Sequence, residues 1–305
     1  MVGEGAGERY ETPRGPIYLL DHGVKATATT TLTVRGRAAD SSLPGNGANA
    51  AFELARLLTR LERYDPPPRI HAAVEPLLEF LAPGVDDDDE RIARARAANP
   101  ALSMIIAALV ANIIPPTVIE AAGPANVVLE DANVTLQCAT LPGVDKRALE
   151  HEIRLALGDG DYSVDAAEPE GGLLSPLETT LHHAIHEFLA ERDPQARLIP
   201  TLAYGYSDCQ TMRSAYGSIA YGFIPFRHAD PLVNVTTKHA ADERVLIEDL
   251  VFQAEAALHI ARSIGSIDVP AAAGPAAAAA KHAAGAPGAC ASGEAAIVPR
   301  TNVCR

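Results

Sequence analysis

The chain contains Ala28-Thr-Thr-Thr-Leu-Thr-Val-Arg35, followed directly by Gly36-Arg-Ala-Ala-Asp-Ser-Ser-Leu-Pro44. In the first stretch apolar side chains alternate with polar ones, and most residues are β-branched. This pattern predicts a β-strand with one buried and one exposed face. The proline and the glycine and asparagine residues after it predict a turn. This stretch therefore predicts a sheet that has other elements packed on one of its two faces.

The elements after the turn predict how that sheet is covered. Their order is strand, helix, two strands, helix, strand, which indicates an antiparallel sheet with helices on one face, an α+β unit over residues 25–166. The supporting patterns are a helix with Ala50, Leu54, Leu57, Leu58 and Leu61 on one face, strands at 117–120 and 125–139, a helix after Asp145 that Gly158 closes, and a strand at Tyr162–Asp165.

The sequence predicts further strands and helices on either side of this α+β unit. Residues 16–23 predict a strand before it, and the segment after 166 predicts two helices and two strands. The patterns are a capping box at Ser175–Glu178 with a helix over 176–191, strands at 198–204 and 219–223, and a helix capped by Asp242 with an apolar stripe of Ile247, Leu250, Val251, Ala254, Leu258 and Ala261. From residue 269 to 305 the chain is rich in Ala, Gly and Pro, which predicts a disordered tail.

Composition limits the classes of partner. The chain has 305 residues, 48% of them hydrophobic, and a formal net charge of −14. This charge argues against nucleic acid and against an anionic membrane as partners. The apolar run at 103–118 is too short and too interrupted to span a bilayer. Four cysteines without metal-type spacing and a first segment without a secretory signal favour the cytoplasm.

Three motifs together carry a family resemblance. They are Gly36–Pro44, Gly205-Tyr-Ser-Asp-Cys-Gln-Thr-Met-Arg213 and Lys238-His-Ala-Ala-Asp-Glu-Arg244. In this order they resemble the two-zinc metallopeptidase and amidohydrolase family of aminoacylase, acetylornithine deacetylase, succinyl-diaminopimelate desuccinylase and glutamate carboxypeptidase. The resemblance implies an α/β fold: a partial zinc-exopeptidase-like catalytic domain, residues 1–24 and 167–268, with an inserted α+β dimerisation domain, residues 25–166. It also implies a homodimer formed through 25–166.

The resemblance assigns only part of a metal site. Two-metal hydrolysis uses cations about 3.5–4 Å apart, held by several carboxylates and imidazoles. By resemblance, Glu4 matches a late carboxylate ligand and His239 the distant histidine ligand. The family's early His-x-Asp, bridging Asp and Glu-Glu pair with the general base have no counterpart, because the chain starts after them. Each zinc ion would keep one protein ligand, which is too few to hold it.

Other motif positions depart from the family as well. Asp40 occupies the place of a histidine that the family uses to stabilise the oxyanion, and a carboxylate there would repel negative charge. Ala139 and Gln210 replace residues that are often basic in relatives. Asn126 and Arg213 match substrate-binding positions, and Arg213 could clamp a carboxylate.

Several of these residues also have a simpler interpretation. Glu4 could be a frayed terminal residue, and His239 a histidine at a helix start. The spacing of three histidines on one predicted helix, His182, His183 and His186, indicates a helix face and not a metal site.

Two functional hypotheses follow. The first is a hydrolase by descent, acting on amide bonds of N-acyl amino acids or small peptides next to a free carboxylate, and inactive as this chain. The alternative is a non-catalytic dimerisation module. Either way, residues 170–266 are expected to expose apolar surface unless a partner covers it.

Overall fold

The computed structural model describes residues 1–43 and 45–265, which belong to one compact unit. The predicted disordered tail, residues 269–305, lies outside the described residues. The strands are β1 (Val2–Tyr10), β2 (Ile17–Val24), β3 (Ala26–Arg35), β4 (Pro116–Glu120), β5 (Asp131–Thr140), β6 (Tyr162–Ala166), β7 (Arg197–Ala203) and β8 (Tyr221–Phe226). The helices are α1 (Ala50–Glu62), α2 (Glu75–Leu81), α3 (Asp88–Ala97), α4 (Pro100–Leu109), α5 (Lys146–Leu157), α6 (Thr180–Arg192), α7 (Asp208–Tyr216), α8 (Pro231–Thr237) and α9 (Ile247–Gly265).

The first sheet has the strand order β1-β8-β2-β7. Strand β1 is parallel to β8, and β2 is parallel to β7, while β2 and β8 are antiparallel where Asp21 pairs with Gly222. Every residue of β2 is buried, so both faces of this sheet must be covered. Helices α6 and α9 cover one face, where the ring centroids of Phe188 and Phe252 lie 5.1 Å apart.

The second sheet confirms the predicted α+β unit. Its order is β4-β5-β3-β6, and each neighbouring pair is antiparallel. Buried and more exposed residues alternate along β3, as its sequence predicts. Leu57 of α1 and Ile153 of α5 pack on the buried face with Leu32 and Val134. The mixed α/β fold class is therefore confirmed.

Helices α2, α3 and α4 were not predicted, and they cover the other face of the first sheet. Leu78, Leu102 and Ile106 of these helices pack with Tyr10 and Ile17. The three helices lie between α1 and β4 in the chain, within the predicted α+β unit. They nevertheless pack on the first sheet and leave the second sheet to α1 and α5.

Lys25 lies where β2 passes into β3, and it is fully buried. Its ammonium group donates hydrogen bonds to the carbonyl oxygens of Ala108 and Ala111, at 2.8 and 2.6 Å. Ala108 lies in the last turn of α4, where helix carbonyls lack partners inside the helix, and Ala111 follows the C-cap of the helix. Burial lowers the pKa of Lys25 to about 8, and nearby Glu152 opposes this shift. Lys25 thus attaches α4 to the junction between the two sheets.

The start of α6 differs from the prediction. The capping box at Ser175–Glu178 is wrong, because the N-cap is Thr179, whose hydroxyl accepts the N–H of His182 at 3.1 Å. The hydroxyl of buried Ser175 instead donates to the carbonyl of Ala220 at 2.9 Å and accepts from Nε of Arg213 at 3.0 Å. This hydroxyl is engaged elsewhere, so the helix begins later.

The start of α9 also differs, because the helix begins at Ile247 and Asp242 does not cap it. Asp249 in its first turn is fully buried. The Asp249 carboxylate accepts the backbone N–H groups of residues 227–229 at 2.7 to 2.9 Å. The helix is thereby fixed to the loop that follows β8.

The apolar stripe predicted on α9 faces outward. Ile247, Leu250 and Val251 are 75%, 49% and 55% exposed, whereas Phe252 and Ile260 pack inward. The expectation that this part of the chain exposes apolar surface is confirmed. Among residues 1–43 and 45–265, no helix combines the length and apolarity that a membrane span needs.

Candidate functional site

A cavity of about 580 Å³ opens beside the first sheet. Strand β1 places Glu4, Gly5, Ala6, Glu8 and Tyr10 along it, and four of these five are alternate residues of the strand. The remaining lining comes from β2, β7, β8, α4, α8 and the loops after β7 and α8: Leu19, Asp21, Ile105, residues 201–207, Ile224, Phe226, Val235, Lys238, His239 and Glu243.

The glycines of β1 allow this strand to approach β8 closely. At Gly7 the φ angle is +136°, and an added Cβ would lie 2.1 Å from the carbonyl oxygen of Ile224. Such a position requires glycine. The β1–β8 register shifts on both sides of Ala6. The repeated Gly-x-Gly of this segment therefore serves strand packing.

Glu4 and His239, the predicted metal ligands, line this same cavity. Glu4 lies within β1, and its Oε1 accepts the backbone N–H of Asp208 at 2.8 Å, at the start of α7. His239 is exposed, with a φ angle of +63°. Its backbone N–H donates to Oε2 of Glu243 at 3.0 Å. The structure brings the two predicted residues to one place.

These residues do not fit a pair of zinc ions. Within the described part of the chain, no three His, Cys, Asp or Glu side chains are grouped so that they could hold a metal ion. A zinc site takes three or four protein ligands, and here Glu4 and His239 are the two that the family resemblance assigns. No reaction step can be built on a metal held by the described residues alone.

Two buried carboxylic acids in the cavity were not predicted. Glu8 and Asp21 are each 5% exposed. Oδ2 of Asp21 accepts the backbone N–H of Ala6 at 2.7 Å. Burial raises the pKa of Asp21 to about 7; the Ala6 hydrogen bond opposes this shift, and the charge of Glu8 adds to it. For Glu8 the alternation Glu4-x-Ala6-x-Glu8-x-Tyr10 was the available signal, because a strand places all four on one side; this pattern does not include Asp21, which lies on β2.

Lys238 is the cation nearest to Glu8. Its Nζ lies 3.9 Å from Oε1 of Glu8 and donates to the hydroxyl of Tyr204 at 3.3 Å. Burial raises the pKa of the Glu8 carboxyl, and Lys238 opposes this shift. Burial acts to lower the pKa of Lys238, but Glu8, Tyr204 and Asp21 together raise it above its ordinary value. The lysine side chain remains 39% exposed, so the pair lies between the interior and the solvent.

Arg213 has a different environment. It is 6% exposed, and its guanidinium donates to the Ser175 hydroxyl and the Ala220 carbonyl. Burial lowers its pKa. Among the described residues, those that line the cavity do not include Arg213. Its role in substrate binding stays a prediction.

Asp40 and Asn126 are brought together at the second sheet. Asp40 forms an isolated antiparallel bridge with Val127, and the N–H of Ser41 donates to the carbonyl of Asn126 at 3.1 Å. The exposed carboxylate of Asp40 accepts from the hydroxyl and the N–H of Ser42, which lower its pKa. A charged Asp40 thus stands close to Asn126, whose role in substrate binding stays a prediction.

The histidines of α6 lie away from this cavity, as the helix-face interpretation expects. His183 is exposed, with Nε2 3.1 Å from Oε1 of Glu187. The ring centroid of His182 lies 6.1 Å from that of Tyr221.

Comparison with known proteins supports the resemblance. Residues 22–164 match the family model described as the peptidase dimerisation domain. No curated protein matches the sequence. The fold is similar to that of a M20 family metallo-carboxypeptidase from Sulfolobus solfataricus, with a TM-score of 0.52 and 16% identity over 84% of this chain and 61% of that chain. It is also similar to the di-peptidase Dug1p from Saccharomyces cerevisiae, with a TM-score of 0.55 and 13% identity over 85% of this chain and 58% of that chain.

The two solved structures establish the similarity of fold. This chain spans about three-fifths of their length, 61% and 58% respectively. The match to the dimerisation domain corresponds closely to the second sheet and its helices, together with the inserted helices α2–α4.

Proposed function

We propose that this protein is derived from metal-dependent amidohydrolases and that the present chain associates through its dimerisation domain without hydrolysing amide bonds. The cavity carries the argument: Glu4 and His239 both line it, and the described residues offer no third metal ligand beside them. Asp40, at the position that stabilises the oxyanion in the family, adds a negative charge where catalysis needs a positive or neutral donor.

We assign this association to residues 25–166, and the rest of the fold to a partial catalytic domain formed by 1–24 and 167–268. Strand β4 supports the assignment. It is the edge strand of the second sheet, and all its residues are exposed. Val118 and Ile119 are 48% and 54% exposed. An exposed apolar edge strand is suited to pairing with another strand.

The test combines metal content with activity. Purified protein is dialysed against buffer with zinc, and bound zinc is measured by mass spectrometry. Well below one zinc ion per chain is expected, with no hydrolysis of N-acyl amino acids or dipeptides under conditions in which an active carboxypeptidase turns them over. Two zinc ions per chain with turnover would refute the proposal.

A second candidate is an active hydrolase whose remaining ligands come from another polypeptide. The shared cavity of Glu4 and His239 favours it, and its substrates would be N-acyl amino acids or small peptides. This second candidate requires that an added polypeptide restore zinc binding and that His239→Ala abolish the restored binding.

For both candidates we propose that the protein is located in the cytoplasm, because Cys138 and Cys209 are free thiols.

A further inference from the structure

Helix α9 is apolar on two opposite faces. Its inner face packs with the first sheet and α6 through Phe252, Ala256 and Ile260. Its outer face, which we call the outer stripe, consists of eight exposed apolar residues: Ile247, Leu250, Val251, Ala254, Ala257, Leu258, Ala261 and Ile264. A helix that is apolar all round is normally covered on every side, so the outer stripe is suited to a partner.

The spacing along the outer stripe is that of a helix that packs against another helix. Residues 247, 250, 254, 257, 261 and 264 follow one another at alternating intervals of three and four. This is the a/d pattern of helices that pair side by side. It extends over the 19 residues of α9, a length of about 28 Å at the rise of an α-helix. The pattern therefore favours a helix as the partner.

The two halves of the outer stripe differ in shape. The large side chains of Ile247, Leu250 and Val251 stand in the N-terminal half, whereas Ala257 and Ala261 leave space in the C-terminal half. A groove of about 570 Å³ lies beside these alanines, between α9 and the strands β1 and β8. One end of the stripe thus projects and the other end is hollow, which is the shape of a surface that pairs with its own copy about a two-fold axis.

An antiparallel arrangement of two α9 helices fits this shape. With the two-fold axis between residues 255 and 256, Leu250 of one copy lies opposite Ala261 of the other, at the groove. Ile247 then lies opposite Ile264, and Ala254 opposite Ala257. In a parallel arrangement Leu250 would meet Leu250, and both grooves would stay unfilled.

Charges at the border of the outer stripe favour the same arrangement. Glu248 lies near the start of α9 and Arg262, two heptads later, lies near its end on the same border. Antiparallel pairing brings each Glu248 close to Arg262 of the other copy. Parallel pairing would place like charges against each other, and charges at such borders set the orientation of paired helices.

We propose that α9 is a second self-association surface, on which α9 of another copy packs in antiparallel orientation. This contact involves the first sheet and its helices, whereas the proposed dimer uses β4 of the second sheet, so it joins dimers into larger assemblies. Three of the eight stripe residues are alanines, and the contact therefore buries limited apolar area. It is the weaker of the two contacts and forms at the higher protein concentration.

Sedimentation of the full chain tests this surface over concentrations from micromolar to several hundred micromolar. The mass of the wild type is expected to rise over this range. Leu250→Glu is expected to weaken this step at least about tenfold, because a charge would be buried without a partner. Leu155→Glu, at an exposed leucine of α5, is the matched control and should leave the step unchanged. A constant mass of the wild type, or an equal rise in Leu250→Glu, would overturn the proposal.

The variant Ile119→Lys separates this surface from the proposed dimer. Ile119 lies in β4, so the substitution is directed at pairing through that strand. At high concentration Ile119→Lys should still associate through α9, and adding Leu250→Glu to it should abolish this association. If the concentration-dependent step disappears in Ile119→Lys alone, it uses β4 and the proposal for α9 is wrong.

Cysteine cross-linking tests the orientation. Chains with Leu250→Cys are mixed at high concentration with chains with Ala261→Cys and oxidised, and linked peptides are identified by mass spectrometry. A link between positions 250 and 261 is expected as the main product of these two cysteines. A main product that links 250 to 250, or the absence of the 250–261 link, would refute antiparallel pairing.

Discussion

The ammonium group of Lys25 donates a 2.8 Å hydrogen bond to the carbonyl oxygen of Ala108, from the junction of β2 and β3 to the end of α4. Replacing Lys25 with Met leaves this carbonyl and that of Ala111 without their donor. We expect the free energy of unfolding to fall by about 2 kcal/mol, since an unpaired buried acceptor costs this order of energy. Urea unfolding measures the change, and Lys146→Met, on an exposed lysine, is the control. An equal effect of both substitutions would contradict the role of Lys25.

The pH dependence of stability gives a second prediction for Lys25. Its pKa falls from 10.5 to about 8 on folding. Between these values the unfolded chain holds the proton and the folded chain does not, so the free energy of unfolding rises with pH. Below pH 8 this lysine is protonated in both states and contributes no slope. We expect the difference in stability between wild type and Lys25→Met to grow from pH 8 to pH 10, as measured by denaturant titration. A constant difference would mean that Lys25 is not desolvated.

The second sheet could be predicted well from the sequence, because the patterns that indicate its strands and helices involve residues close together in the chain. The alternation of Ala28, Leu32 and Val34 with threonines and the helix start at Asp145 depend on near neighbours only, and both are confirmed. Which face of which sheet α2–α4 cover depends on contacts such as Leu102 with Tyr10, which no local pattern encodes.

The site was predicted only in part for a related reason. Glu4 and His239 were found through motif resemblance, and the structure places both at one cavity. Glu8 and Asp21 were missed because an acid in a strand is usually on the surface. Their burial depends on β8, on β7 and on the distant Lys238 loop. The exposed apolar stripe of α9 shows the same limit, because helical periodicity predicts that a stripe exists and does not show what covers it.

Asp21→Asn is expected to change how stability depends on pH. The pKa of Asp21 rises from 3.8 to about 7 on folding, so the folded chain binds the proton more tightly. The contribution of this group is present below pH 3.8 and is lost as the pH rises to 7. Asparagine keeps an oxygen that can accept the N–H of Ala6, and it cannot ionise. Relative to wild type, the free energy of unfolding of the variant should increase by a few kcal/mol between pH 4 and pH 8, as measured by thermal unfolding. This is the order of energy that corresponds to the pKa shift of Asp21. If the free energy of unfolding depends on pH in the same way in wild type and variant, Asp21 is not desolvated in the folded chain.

Arg213→Met tests whether this guanidinium supports the fold. It removes donors from the Ser175 hydroxyl and the Ala220 carbonyl, both buried. A loss of about 3 kcal/mol in the free energy of unfolding is expected, as for a broken buried network. Arg192→Met, at an exposed arginine of α6, serves as control and should cost far less. Unchanged stability of Arg213→Met would indicate a role outside the fold, such as substrate binding.

The exposed edge of the second sheet offers a direct test of self-association. Ile119 lies in β4 and is 54% exposed, so a charge there would be buried, and repelled by its copy, if two β4 strands pair. We expect Ile119→Lys to shift the protein from dimer to monomer in analytical ultracentrifugation, with little change in monomer stability because the side chain is exposed. Ser163→Lys, on β6 at the opposite edge, should leave the dimer intact. If Ser163→Lys dissociates the dimer and Ile119→Lys does not, association uses the β6 edge. A monomeric wild type would refute association through either edge.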